Sequence, residues 1–362
     1  MNPMNDVSKH IDIIAAPGVF ADLATAQELA ARALAARGLS GGIVDAATGS
    51  DEVIVVPGDR IPVDTSPYSS VVRVDLGQCA PDRSPGIRAH IRGRGLDGLR
   101  FAIDSVFFHR VHSGTIVSYG DHPEQRAELR VPVGDGPFPV AVLIHGGYWR
   151  SRWEFDLMDA MAVDLTKRGY ATWNVEYRRP DEHEWDATTG DVAAALAALE
   201  TAPGDLDLSR VVLFGHSAGG QLALRVAADS VGQPVSPALA VSLAGVLDLR
   251  VGDERWLGEG AVSNAIGARF AGAQETYEAA SPISRLPLGV PHLVVSAVSD
   301  DPNLLEISRA YYAAAASGPD SVDYIEGPGG HFAVVDPTSE IYQDLVREVD
   351  ARIRGTRDHA SE

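Results

Sequence analysis

From Val140 onward, short apolar runs recur at regular intervals along the chain. They are VAVLI (140–144), YATWNVEY (170–177), RVVLFG (210–215), ALAVSLAG (238–245) and HLVVSAV (292–298). Nearly continuous apolar character, without polar alternation, is what strands buried on both faces require. Helical patterns separate them at 153–168 (followed by Gly169), 187–200, 218–229 and 303–316; a short strand at 321–325 precedes a last helix at 338–354. Strands alternating with helices predict an α/β fold with a mostly parallel central sheet flanked by helices on both faces. In such sheets, ligand sites lie at the carboxyl ends of the strands.

The preceding hundred residues have a different texture. Thr25 and Glu28 have the spacing of a capping box, which predicts a helix from Thr25 to the stop at Gly38. Strands are expected at 52–56, within SVVRVDL (70–76), and at 99–108. The stretch from Pro57 to Gly98 is rich in Pro, Gly, Arg and Asp. Residues 1–112 therefore read as an accessory segment of mixed α/β character and 113–362 as the catalytic domain. The accessory segment is a candidate interaction or dimerisation module, so a homodimer is among the expected partners.

The chemistry concentrates at predicted strand exits. Gly215-His216-Ser217-Ala218-Gly219 joins a buried strand to a helix. There a G-x-S-x-G turn lifts a serine hydroxyl above the sheet, with glycines where the chain packs too closely for side chains. A second copy, Gly38-Leu39-Ser40-Gly41-Gly42, follows a helix and precedes a strand, so no helix N-terminus lies behind its serine. A serine needs a base and an orienting carboxylate to act as a nucleophile. Asp300 and Asp301 end one downstream strand, and His331 follows the next. The other histidines are less well placed. His10 and His359 lie near the termini, and His90, His109 and His112 fall in the accessory segment. His145 and His216 flank other motif residues, and His292 begins a strand. Either aspartate could orient His331, the other serving as a helix N-cap before Pro302. At His145–Arg150, HGGYWR, Gly146 and Gly147 have no side chains to block main-chain N–H groups from an oxyanion, and Tyr148 is a further main-chain donor. Tyr148, Trp149 and Trp153, with Trp173 and Trp185, cluster near strand ends and suit an aryl substrate.

These motifs resemble the α/β-hydrolase superfamily and, more narrowly, the serine-hydrolase type of kynurenine formamidase (arylformamidase) with its esterase relatives. The matching stretches are YGDHPEQRAELRVP (119–132), HGGYWR, EYR (176–178), GHSAGG, AGVLDL (244–249), DDPNLLEISRAYY (300–312) and HFAVVD (331–336). The resemblance implies an α/β-hydrolase fold, with Ser217 as nucleophile, His331 as base and Asp300, which opens the D-x-P element, as the acid. It places the oxyanion hole at the HGGYW turn and the Ala218 N–H. The implied reaction is cleavage of an aryl formamide through an acyl-enzyme, without a cofactor; a small-ester carboxylesterase or lactonase is the alternative. A ligand-binding hydrolase homologue without activity is disfavoured because no triad member is missing. Residues 1–112 exceed the short N-terminal stretch of that family.

Residues 112–122, HSGTIVSYGDH, partly overlap the metal-binding pattern of a zinc-dependent formamidase family. His112, Gly114, Thr115 and His122 match, but Ile116 and Ser118 stand where two ligands are needed, so no metal is expected. A net charge of -20 excludes a phosphate-neutralising surface, and therefore nucleic acid, as partner. The single cysteine, Cys79, cannot form an internal disulfide. The N-terminus lacks the basic and apolar regions of a signal peptide, and no apolar run is long enough to span a membrane. The expectation is a cytoplasmic enzyme acting on a small molecule.

Overall fold

The computed structural model describes residues 9–47, 51–58 and 63–355. The chain divides into two compact units, Met1–Ser113 and Gly114–Glu362; His359 lies outside the described residues.

The first unit contains β1 (His10–Ala15), α1 (Leu23–Ala36), β2 (Ser40–Val44), β3 (Glu52–Val56), β4 (Ser70–Asp75), β5 (Ile87–Arg92) and α2 (Gly98–Val111). These strands form a wholly parallel sheet in the order β2-β1-β3-β4-β5. Two expectations need correction here. The helix cap is Asp22 rather than Thr25: the Asp22 carboxylate accepts the Thr25 N–H at 3.1 Å, so α1 begins earlier. Residues 99–108 are helical, not a strand. Leu99, Ala102, Ile103 and Val106 fall at helical spacing and are fully buried beside Ile54, Val72 and Val74. Phe101, Phe107 and Phe108 lie outside that stripe and made the run look continuous.

The second unit runs through β6 (Thr115–Ser118), β7 (Arg126–Arg130), β8 (Phe138–Ile144), α3 (Asp159–Lys167), β9 (Ala171–Val175), α4 (Trp185–Ala197) and β10 (Leu206–His216). It continues with α5 (Ala218–Asp229), β11 (Leu239–Leu243), α6 (Leu249–Glu254), α7 (Leu257–Ile266), α8 (Gln274–Ala280), β12 (His292–Ala297), α9 (Pro302–Ala316), β13 (Val322–Gly327) and α10 (Glu340–Gly355). The sheet order is β13-β12-β11-β10-β8-β9-β7-β6; only β6 and β7 are antiparallel to their neighbours. Alternate residues of the central strands enter two apolar layers. Val211 and Leu213 face the layer containing Leu222 and Val226 of α5, while Val212 and Phe214 face the one containing Met161 of α3 and Tyr342 of α10. Each such burial contributes roughly 1.5–3 kcal/mol. Because both faces are covered, the chain can present polar groups together only at strand ends. Register sets which ends meet: Gly215 pairs with Ile144, and His216 with Leu243. Among the described residues, no helix is long and apolar enough to cross a membrane.

Candidate active site

Ser217 occupies the turn between β10 and α5 with φ 55° and ψ −118°, a conformation non-glycine residues rarely adopt. The surrounding backbone dictates the flanking glycines. A Cβ on Gly215 would lie 2.1 Å from the Gly219 carbonyl oxygen, and one on Gly219 would lie 2.1 Å from that of Ile144. The turn is bonded into the sheet: the Ser217 N–H donates to Leu243 O at 2.8 Å, and its carbonyl accepts the Gly220 N–H at 2.9 Å. The Ala218 and Gly219 N–H groups that open α5 have no acceptor within the helix, and the helix dipole makes this end attractive to an anion.

The neighbouring exits are joined in the same way. Ala244 N–H donates to Val295 O at 2.8 Å, Val298 N–H to Gly327 O at 2.9 Å, and Ser299 N–H to Gly329 O at 2.9 Å. This ladder ends at Asp300, after β12, and His331, after β13. His331 Nδ1 lies 3.0 and 2.9 Å from the two carboxylate oxygens of Asp300. The Asp300 side chain is 5% exposed and that of His331 27%. Asp301 does something else: its carboxylate caps α9 by accepting the Asn303 N–H at 2.8 Å. His216 fastens the His331 loop to the serine turn, its Nε2 donating to the His331 carbonyl at 3.1 Å. Burial pushes the His216 imidazole down to about 3, with the His331 ring acting in the same direction, so it stays neutral.

The HGGYW turn follows β8 and closes over Ser217. A Cβ on Gly146 would lie 2.6 Å from His216 O and 2.8 Å from Ser217 Cβ; one on Gly147, whose φ is 109°, would strike the Trp153 ring at 2.4 Å. Tyr148 and Trp149 both have positive φ, 52° and 54°. A buried network supports the turn from below. His145 Nδ1 lies 2.8 Å from Gly146 O, its Nε2 3.4 Å from Glu176 Oε1, and its ring stacks on Tyr177 at 4.4 Å. Tyr177 donates its hydroxyl to His145 O at 2.8 Å, and Arg179 bonds Glu176 and Glu124. Burial alone would raise the Glu176 carboxyl, but Arg179 and His145 together hold it well below the usual carboxylate range.

The aromatic residues divide. Trp149 is 1% exposed, donates Nε1–H to Gln221 at 3.1 Å and packs edge-on against Trp185. Its side chain therefore anchors the turn in the core instead of lining a substrate wall. Trp173 is likewise a core residue, donating to Ala195 O at 3.0 Å. Tyr148 and Trp153 stay half-buried at the site. Burial raises the Tyr148 phenol, and the Asp301 and Asp300 carboxylates add to this. One wall residue escaped sequence reasoning: Phe332 is 52% exposed, with its ring 5.2 Å from that of His216 and 5.5 Å from that of His331. Its position directly after His331 was the available signal.

A mostly parallel sheet with a serine at the tight strand–helix turn and a His–Asp pair at the next exits defines the α/β-hydrolase fold. Residues 130–305 match the BD-FAE family model. Among solved structures, esterase B from Lactobacillus rhamnosis is 21% identical, with TM-score 0.58 over 68% of this chain and 87% of that one. A putative thioesterase from Silicibacter sp. is 23% identical, with TM-score 0.57 over 69% and 91%. A bacterial heroin esterase is 22% identical, with TM-score 0.57 over 70% and 88%. A stretch of 119 residues is 31% identical to the non-reducing polyketide synthase pkbA of Emericella nidulans, covering 30% of this chain and 5% of that protein.

Proposed function

We propose that the Gly114–Glu362 unit is a serine hydrolase of small esters. The observation that carries this reading is the Ser217 turn at the same sheet edge as the His331–Asp300 hydrogen bond. His331 Nε2 takes the Ser217 proton as Oγ attacks the ester carbonyl, while Asp300 fixes the other ring nitrogen as the N–H donor. The oxyanion is held by the Ala218 N–H and by main-chain N–H groups of the Gly146–Gly147–Tyr148 turn. Losing one such donor costs about 3 kcal/mol of transition-state stabilisation. His331 then protonates the leaving alcohol, and water repeats the sequence on the acyl-enzyme to release the acid.

The esterase names of the structural neighbours support an ester as substrate. Tyr148, Trp153 and Phe332 at the mouth favour an aryl group on one side of the scissile bond. Cleavage of an aryl formamide is the second reading, favoured by the HGGYW and GHSAGG stretches around Ser217. The test is kcat/KM of the full chain on p-nitrophenyl acetate and on N-formylkynurenine. Higher kcat/KM on the aryl acetate is expected. A preference for the formamide of about tenfold or more would replace the ester assignment. Failure of both substrates, together with no labelling by a fluorophosphonate, would remove the hydrolase reading.

A further inference from the structure

Among the described residues, two side-chain clusters outside the Ser217 site bring together groups able to hold a metal ion. In the first unit, one ligand atom each from Asp75, Cys79 and His90 lies within 4.8 Å of the others. That set is already committed. His90 Nδ1 accepts the Asp82 N–H at 2.9 Å, its Nε2 lies 2.6 Å from Asp75, and Asp75 also receives Arg73 at 2.6 Å. Neither nitrogen of His90 is available without breaking a short bond.

The second cluster is held differently. A ring nitrogen each from His122 and His183 and a carboxylate oxygen of Glu124 lie within 4.8 Å of one another. The imidazoles meet edge to face at 4.9 Å. Their existing contacts are long: His122 Nδ1 accepts the Glu124 N–H at 3.2 Å, and His183 Nε2 lies 3.5 Å from Glu124 Oε2. The Glu124 side chain is 1% exposed and braced by Arg179 at 2.7 Å, whereas both histidines are half-buried and open to solvent on one side. The charge balance is also suitable. Glu124, Glu176 and Asp191 outnumber Arg178 and Arg179 by three to two, and Asp191 holds Arg178 through contacts of 2.9 and 2.7 Å.

We propose that His122, Glu124 and His183 form a binding site for a divalent transition metal of the zinc type, separate from the Ser217 centre. Two imidazoles and one carboxylate suit Zn2+, with solvent completing the coordination. His112, which the sequence pattern at 112–122 had paired with His122, is not a member. His183, far along the chain, takes its place. A bound ion would tie the 119–125 loop to the segment entering α4. That segment also grips the HGGYW turn, through Asp181 bonding the Ser151 N–H at 2.8 Å and Arg179 reaching Ser151 O at 3.5 Å.

Isothermal titration of Zn2+ into the tag-free full chain, with Co2+ absorption spectra as a second readout, tests the site. One equivalent should bind, Co2+ should give visible d–d bands, and His122→Gln and His183→Gln should each weaken zinc binding by about tenfold or more. His90→Gln should leave stoichiometry and affinity unchanged. Circular dichroism of the metal-free variants, expected to match the wild type, separates ligand loss from unfolding. No binding by the wild type, or binding that survives either substitution in a folded variant, overturns the proposal.

Discussion

The chain spells G-x-S-x-G twice, and the two copies end in very different places. At Gly38–Gly42 the Ser40 hydroxyl lies 3.3 Å from His10 Nδ1, and His10 Nε2 lies 3.0 Å from Asp12. Serine, histidine and aspartate thus stand in the hydrogen-bond order of a hydrolytic triad. Ser40 nevertheless opens β2 at the amino end of a parallel sheet, exposed and followed by strand. At Gly215–Gly219 the serine sits at the carboxyl end, 2% exposed, with the first turn of α5 and the HGGYW turn beside it. The difference shows that a hydrogen-bond chain is the easier part of such a site to assemble. The demanding part is a backbone turn that aims main-chain donors at the place where negative charge develops.

Three experiments test this contrast. The largest effect belongs to the serines. Ser217→Ala should lower kcat/KM by about 10^4-fold or more with an unchanged melting temperature, while Ser40→Ala should change neither. Activity loss at Ser40 would show that the two copies are not opposed as described. Next come the glycines. Gly219→Ala drives a methyl into the Ile144 and His145 carbonyls at 2.1 and 2.5 Å, and should cost about 3 kcal/mol or more in urea unfolding. Gly42→Ala meets nothing within 4 Å and should stay within about 0.5 kcal/mol. Equal costs at the two positions would contradict the difference in backbone crowding.

The smallest effect is a pH dependence. The His216 imidazole is pushed down to about 3 in the folded chain but titrates near 6.5 when unfolded. Between those values the unfolded state binds more protons, so the stabilising contribution is whole above about pH 6.5 and is lost as pH falls towards 3. By pH 5 the loss amounts to about 2 kcal/mol. His216→Gln should lack this component when urea midpoints at pH 7 and pH 5 are compared. An unchanged slope would mean that His216 is not held neutral by burial.

Much of the second unit was legible because its strands are buried on both faces and its helices end in recognisable stops. The run VAVLI became part of β8, and residues 218–229 coincide with α5. The first unit was harder to read, for physical reasons. β1 carries a fully buried Asp12 and β5 carries buried His90 and Arg92, so neither strand announces itself as apolar. The 99–108 run hid a helical stripe behind aromatic residues outside it. Ser217, Asp300 and His331 could be expected at one sheet edge because strand exits converge in any parallel sheet. The supports of the HGGYW turn could not, since Glu176, Arg179 and Glu124 gain meaning only through contacts across the fold. Trp149 illustrates the converse: its residue type suggested a ligand wall, and only burial with a partner at Gln221 shows it as an anchor.

The ladder of main-chain bonds from Ser217 to Leu243, Ala244 to Val295, and Val298 and Ser299 to the Gly327–Gly329 segment has one further consequence. Residues 217, 300 and 331 are remote in sequence, yet their spacing is counted in strands, each step being about 4.8 Å. The sheet therefore works as a ruler whose graduations contain no side-chain atoms. Helices α6 to α8 are inserted between β11 and β12, and none of their residues supplies a bond of this ladder. The separation of Ser217 from the His331–Asp300 pair is thus set by main-chain bonds between strands and not by the side chains along them.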